Sequence, residues 1–233
     1  MKKKILFKTT YMKLAEEAKA EAKRKFDFMM PSMPMIEVCQ ADEFDFFQPY
    51  IDSGMLTVDQ MHQAAERYYL GKTCSGKTMF WMIDDMMQPL DARIGGTWLS
   101  KLLKKREPLL EYWPVKHCLF GEHLLSAEGS VGIVESEASA VILSELFPET
   151  IWLAYVYTAN LTPQLMLPLR GRKVTIYPRT DPTMSNYVFF LEYAEMVRRQ
   201  YDIDLCIDPT LEYNTTAEQK ERCIDILDFV FDS

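Results

Sequence analysis

The chain has 233 residues, 48% apolar and 12% aromatic, enough for a sizeable buried core and too apolar for a disordered protein. Its formal charge of −8 is uneven: residues 1 to 30 hold nine Lys/Arg against four Asp/Glu, a net +5, leaving 17 against 30, or −13, for the rest. An acidic body disfavours tight, sequence-independent gripping of phosphates, although a local groove can still be positive, and no stretch approaches the ~18 apolar residues of a membrane span or forms a signal-peptide core after Met1, so a cytoplasmic location without a membrane partner is expected.

From about Thr10 to Phe28 the sequence is rich in Ala, Lys, Glu and Met and has no proline, which predicts an exposed, charged helix capped by Thr9 or Thr10 within an N-terminal segment 1–30. It shows no clear apolar face, so its removal is expected to cost little stability. Residues 31–50, with Pro31, Pro34 and Pro49, read as a linker and domain boundary that becomes a docking segment at Phe44, Phe46 and Phe47. A small α+β region is expected over 51–127. Its helix covers 57–69, capped by Thr57, with Val58, Met61, Ala65 and Tyr68 on one face and Gly71 as its stop. Its antiparallel hairpin has a strand over 78–84, a turn at Met87 to Pro89 and a second strand ending at Gly95-Gly96.

His117, Cys118 and His123 form a local trio whose spacing fits no common zinc pattern; partly buried side chains at a strand end is the simpler reading. The cysteines at 39, 74, 118, 206 and 223 are odd in number, far apart and without a C-x-x-C pair. They read as reduced and mostly buried, not as a disulfide framework.

Over 128–233 strand-like and helical runs alternate: 131–134 then 139–147, 151–156 then 163–169, 173–177 then 184–200, and 203–207 then 217–231. This predicts a parallel four-stranded sheet flanked by helices, an α/β domain whose function gathers at the C-terminal strand ends.

Residues Gly71-Lys72-Thr73-Cys74-Ser75-Gly76-Lys77-Thr78 match G-x-x-x-x-G-K-[ST], the phosphate-binding loop of nucleoside triphosphatases. That loop requires a strand before it and a helix after it, so that backbone N–H groups point at the phosphates. Here a helix precedes and the β-like run Met79-Phe80-Trp81-Met82-Ile83 follows. The segment therefore reads as a connection into the hairpin, with no nucleotide-binding residue assigned.

At the first parallel strand stands Val131-Gly132-Ile133-Val134-Glu135-Ser136-Glu137-Ala138, an apolar strand ending in carboxylates at a helix start. Together with the turn from Tyr155 to Thr162 and Val174-Thr175-Ile176-Tyr177-Pro178-Arg179-Thr180-Asp181, it resembles the acidic-tip and D-x-D motifs of toprim domains. More narrowly, Cys118-Leu119-Phe120-Gly121-Glu122-His123-Leu124-Leu125, Val134-Glu135-Ser136-Glu137, Leu169-Arg170-Gly171-Arg172-Lys173-Val174-Thr175 and Asp225-Ile226-Leu227-Asp228-Phe229 resemble primase-associated, toprim-like proteins of bacterial mobile elements. With Tyr69-Leu70-Gly71 followed by Met79-Phe80-Trp81-Met82-Ile83-Asp84, which match the same proteins, the similarity spans about residues 50 to 230.

The resemblance implies metal-assisted phosphoryl transfer, with Glu135 and Glu137 as the catalytic carboxylates and magnesium held by hard oxygen ligands. The chain departs from it in lacking a cysteine-rich zinc ribbon, in placing Ala138 where such proteins carry lysine, and in placing Arg179 where they carry aspartate. Two arrangements are open. Glu135, Glu137, Asp181, Asp225 and Asp228 converge on a residual cation site, with Asp181, Asp225 and Asp228 as metal ligands, or Arg179 pairs with Glu135 or Glu137 and fills the ion's place with a fixed charge. The second implies a catalytically degenerate module without a cofactor, an accessory of replication or mobile-element proteins that touches DNA or RNA weakly. The first implies a magnesium-dependent primase-like or nuclease-like enzyme, and the acidic body also fits a protein-interaction factor that binds no nucleic acid.

Overall fold

A computed structural model describes residues 2–33, 36, 44–112, 115–158 and 161–232. Nine residues of the expected linker (34, 35 and 37–43, including Pro34 and Cys39) lie outside these residues, as do Ala159 and Asn160 of the second motif. The chain opens with α1 (Lys2–Met29), longer than expected and not capped at Thr9 or Thr10. Its charged composition gave no sign of docking, yet Ala22, Phe26 and Met30 are buried, and Phe26 and Met30 join Trp81, Ile83, Ala92 and Leu110 in one core. The expectation of an exposed helix whose removal costs little stability is corrected: the last two turns belong to the fold, while Met12 and Leu14 stay exposed.

A short 3-10 turn over Asp45–Phe47 leads into α2 (Gln48–Asp52). Phe44 and Phe47 are buried, so this aromatic stretch docks as expected. Next comes α3 (Val58–Arg67), where Thr57 and Gln60 form a reciprocal capping box that satisfies two otherwise orphan backbone donors. Met61, Ala64 and Ala65 face inward, whereas Val58, expected on that face, is exposed. The helix ends ahead of Gly71: Tyr69 takes the left-handed turn at φ 52°, and Gly71 instead begins a strand.

Four antiparallel strands follow, β1 (Gly71–Lys72), β2 (Thr78–Ile83), β3 (Pro89–Ile94) and β4 (Thr97–Trp98), paired in chain order. The β2–β3 hairpin is the expected one, widened by two short outer strands. After α4 (Leu99–Arg106), residues 115–119 are irregular and a 3-10 turn covers Glu122–Ser126. The trio expected at a strand end therefore lies in non-strand backbone, apart from the single bridge at Phe120.

The remaining chain builds the parallel sheet from β5 (Ser130–Val134), α5 (Glu137–Leu146), β6 (Thr150–Ala154), a 3-10 segment over Pro163–Leu169, β7 (Lys173–Ile176), α6 (Ser185–Tyr201) and β8 (Asp204–Ile207). Strand order is β6-β5-β7-β8, parallel throughout. The sheet's two faces bury against different partners. Val131, Ile133, Leu153, Val174, Ile176 and Leu205 pack with Phe190, Ala194 and Val197 of α6. Val134, Trp152 and Ala154 pack with α5, α3 and the Phe44–Phe47 segment. Gly132 sits beneath Trp152, whose ring atoms lie 2.7 and 2.8 Å from where a Cβ would stand, so any side chain there would displace a buried indole.

The antiparallel region also closes the β6 edge. Phe120 exchanges both backbone hydrogen bonds with Ala154 (2.9 and 3.0 Å), and the Tyr68 hydroxyl donates to the Trp152 carbonyl at 2.7 Å. Backbone groups that would otherwise form an open strand edge are thereby satisfied.

The C-terminal segment corrects a second expectation. After α7 (Thr210–Asn214), two helices, α8 (Ala217–Glu221) and α9 (Ile226–Phe231), stand in place of one helix over 217–231. Cys223 turns left-handed at φ 53° and Asp225 caps α9 by accepting from Asp228 N–H. An apolar period continues through the segment, but capping groups at Thr216 and Asp225 divide it into two helices. Cys74 and Cys206 are exposed and Cys118 and Cys223 half-buried, all as free thiols, which corrects the expectation of mostly buried cysteines. Among the described residues no helix is long and apolar enough to cross a membrane.

Candidate functional site

In the order β6-β5-β7-β8, the chain passes from β5 outward to β6 and then returns across β5 to β7. The two crossovers lie on opposite faces and leave a crevice at the C-terminal ends of β5 and β7, the place where open parallel sheets accept ligands. A cleft of about 720 Å³ opens there, within the range of small-molecule and cofactor sites. One wall is the parallel sheet's own exit, with Glu135, Glu137, Tyr157 and Arg179; the other is the antiparallel hairpin, with Lys77, Phe80, Arg93 and Gly95-Gly96. Asp45, exposed, completes the lining from the aromatic segment.

Glu135 follows β5, and Glu137 is the first residue of α5, whose cap is the Ser136 hydroxyl accepting from Ser139 N–H at 3.3 Å. Arg93 Nη1 reaches Glu137 Oε2 at 2.6 Å and so joins the two walls. Glu137 is 3% exposed; burial raises its carboxyl pKa, and the Arg93 charge partly offsets that. The pair is incomplete, because Arg93 Nε and Glu137 Oε1 are both buried without a hydrogen-bond partner among the described residues. A buried orphan of this kind costs about 1–3 kcal/mol. The Arg93 guanidinium also lies 5.0 Å from the centre of the Tyr157 ring. Tyr157 is placed there by Val156, a buried β-branched residue with φ 67°, a strained conformation of the kind that gathers at functional sites.

Arg179 leaves β7 and is held chiefly by the Cys223 carbonyl, which accepts from its Nε at 3.0 Å and its Nη2 at 2.8 Å. Its Nη1 stands 3.5 Å from Glu135 Oε2, a loose, partly exposed ion pair. Of the two carboxylates considered for Arg179, it meets Glu135; Glu137 belongs to Arg93. Ala138, the second residue of α5, lines the cleft without adding charge.

The family model described as a domain of unknown function (DUF6371) matches residues 45–180. The chain belongs to that family. Searches of curated proteins and of solved structures give no match. Every residue that lines the cleft, from Asp45 to Arg179, falls within the matched segment. Asp181, Asp225 and Asp228 fall outside it.

Those three aspartates do structural work. Asp181 Oδ1 accepts from the N–H groups of Thr183 (2.8 Å) and Ser185 (3.1 Å), and Oδ2 accepts from Asn186 N–H at 2.8 Å, so the carboxylate tethers the entry to α6. Burial alone would raise its pKa, but the Thr183 hydroxyl and these backbone donors outweigh it and hold the carboxyl far below the usual range. Asp225 and Asp228 accept each other's backbone N–H at 3.0 Å, and Asp225 also takes the Ser139 hydroxyl. A magnesium ion needs several convergent oxygens with free lone pairs. Glu135 and Glu137 face arginines, the three aspartates are engaged as helix caps, and among the described residues no three His, Cys, Asp or Glu side chains are arranged to hold an ion. The donor set does not fit the ion that the toprim resemblance implies.

The His117 trio separates: His117 packs on Trp98 with ring centres 5.5 Å apart, while His123 Nε2 meets the Arg67 carbonyl at 3.0 Å. Burial pushes the Cys118 thiol well above its ordinary pKa. The phosphate-loop match is a hairpin turn, in which Thr73 N–H donates to the Lys77 carbonyl at 2.9 Å and β2 follows at once. Lys77 nevertheless lines the cleft, its chain lying over Gly95, and sequence reasoning dismissed it together with the loop. Arg93 and Tyr157 were missed as well. The hairpin's position over the strand tips brings Lys77 and Arg93 to the site, and no local motif marks that position; Tyr157 reaches it from the exit of β6, beside Glu135.

Proposed function

We propose that the chain is a catalytically degenerate, toprim-like protein, a cytoplasmic nucleic-acid-related accessory module of a mobile element, whose partners are DNA or RNA bound weakly and replication or mobile-element proteins. The observation that carries this reading is Arg179, a fixed cation anchored on the Cys223 carbonyl and facing Glu135 at the strand tip. Toprim chemistry asks for a metal ion at that tip, and a guanidinium there repels one.

Thermal melts of the wild type and of Arg179→Asp, each with and without millimolar magnesium, test the reading. The wild type shows no magnesium-dependent shift, because a ligand stabilises only by binding the folded state. Arg179→Asp melts lower and recovers part of the loss when magnesium is added. A clear magnesium shift in the wild type that disappears in Glu135→Gln overturns the proposal in favour of a working enzyme.

A protein-interaction role draws support from α6, which exposes Val188, Phe189, Leu191 and Met196 on its outer side. Absence of any DNA or RNA shift at low salt would favour it over the nucleic-acid reading.

A further inference from the structure

The switch-point cleft brings together groups that the sequence holds far apart. Lys77 comes from the hairpin turn, Arg93 from β3, Tyr157 from the exit of β6 and Arg179 from the exit of β7. Each arginine has a glutamate partner, but Lys77 is exposed and makes no ion pair among the described residues, so it is the cation available to an incoming anion. Tyr157 has Arg93 against its ring and stays 37% exposed, which leaves a flat aromatic surface open to a planar group.

We propose that the cleft holds one phosphate-and-base unit of a single-stranded nucleic acid, without a metal ion. Lys77 and Arg179 take the phosphate, and the base lies on the Tyr157 ring. This rests on the nucleic-acid reading above and specifies its site and ligand. An aromatic face beside paired cations is the arrangement by which proteins bind single strands irrespective of sequence. A duplex keeps its bases stacked inside and cannot offer one to a recessed ring. Three further observations favour this place over the rest of the surface. The strained backbone of Val156 aims Tyr157 into the cleft. Glu137, 3% exposed, keeps an unpartnered Oε1 in the same wall, where a sugar hydroxyl or base amino group would complete its hydrogen bonding. The α5 N-terminus opens on the cleft through Ser136, Glu137 and Ala138. Glu135 and Asp45 share the lining and keep the affinity modest.

Fluorescence anisotropy with end-labelled oligo-dT and oligo-U of about 15 nucleotides, in low salt with EDTA, tests the proposal. The wild type binds in the micromolar range. Lys77→Ala and Tyr157→Ala each weaken binding about fivefold or more, Tyr157→Phe retains it, and Lys77→Ala lowers the slope of log affinity against log salt by about one. Lys173→Ala, exposed at the opposite end of β7, binds as the wild type does. Wild-type binding that is unchanged in both Lys77→Ala and Tyr157→Ala overturns the site while leaving the nucleic-acid reading standing. Absence of wild-type binding overturns both, and binding that requires magnesium overturns the metal-free arrangement.

Discussion

Arg93 and Glu137 meet at 2.6 Å across the junction of the two sheets, one at the end of the hairpin and the other at the start of α5. Removing the arginine strands a carboxylate that is 3% exposed. Arg93→Ala is therefore expected to cost about 2–4 kcal/mol at neutral pH. Without Arg93 the Glu137 pKa rises further, so the variant regains stability as pH falls and the carboxyl takes up a proton. The double variant Arg93→Ala/Glu137→Gln is less destabilised than Arg93→Ala alone. Denaturant unfolding of the three proteins between pH 5 and 8 measures this, and a pH-independent loss would contradict it.

Glu122 should make the whole fold pH-sensitive. Burial raises its pKa from 4.5 to about 7, with Asp85 and Asp84 adding to the effect against the hydrogen bond from Leu119 N–H. The folded state then holds a proton that the unfolded chain releases, so stability is fully present below about pH 4.5 and declines as pH rises towards 7. The loss attributable to this group is roughly 3 kcal/mol. Glu122→Gln, which keeps the acceptor for Leu119 N–H, should flatten this part of the stability curve and equal or exceed the wild type at pH 8.

Asp181 is expected to act as a tether for α6 and not as a ligand. Asp181→Asn should cost about 2 kcal/mol at neutral pH, the scale of a charge-assisted hydrogen-bond cluster. The sign of its pH dependence is opposite to that of Glu122. Its depressed pKa contributes stability that is present above 3.8 and lost as pH falls further, so the variant should have a shallower acid limb. Its response to magnesium should equal that of the wild type, and a magnesium shift removed by this substitution would restore Asp181 as a ligand.

The docked end of α1 leads to a fourth expectation. Phe26 is 8% exposed and packs with Trp81, Ile83 and Leu110, and Lys25 Nζ reaches Glu107 at 2.9 Å. Phe26→Ala should cost about 2–4 kcal/mol. Deletion of residues 1–28 should lower the melting temperature by a comparable or larger amount, whereas deletion of residues 1–14 should leave it nearly unchanged. Melts of the three chains decide the point.

The sequence by itself determined the elements whose reason is local. Alternating apolar runs and helical segments fixed the parallel strands, the Thr57 cap fixed the start of α3, and the β-like run after Lys77 showed that the phosphate-loop motif lacked its helix. The strand-tip position of Glu135 and Arg179 was legible for the same reason, since Glu135 directly follows one apolar strand and Arg179 comes just after Tyr177-Pro178 at the end of another. Tertiary structure decided the rest. The apolar residues of α1 form no clear face, and only the surface presented by Trp81, Ile83 and Leu110 makes Phe26 and Met30 part of a core. The period over 217–231 could not show that Asp225 and Cys223 would break the helix, because that break leaves the Cys223 carbonyl free to accept from Arg179. Lys77, Arg93 and Tyr157 are separated from Glu135 in sequence and share no spacing with it. Tyr157 reaches Glu135 through the pairing of β6 with β5, and Lys77 and Arg93 join them only because the hairpin folds over the C-terminal end of the parallel sheet, where the buried Arg93–Glu137 pair joins the two walls.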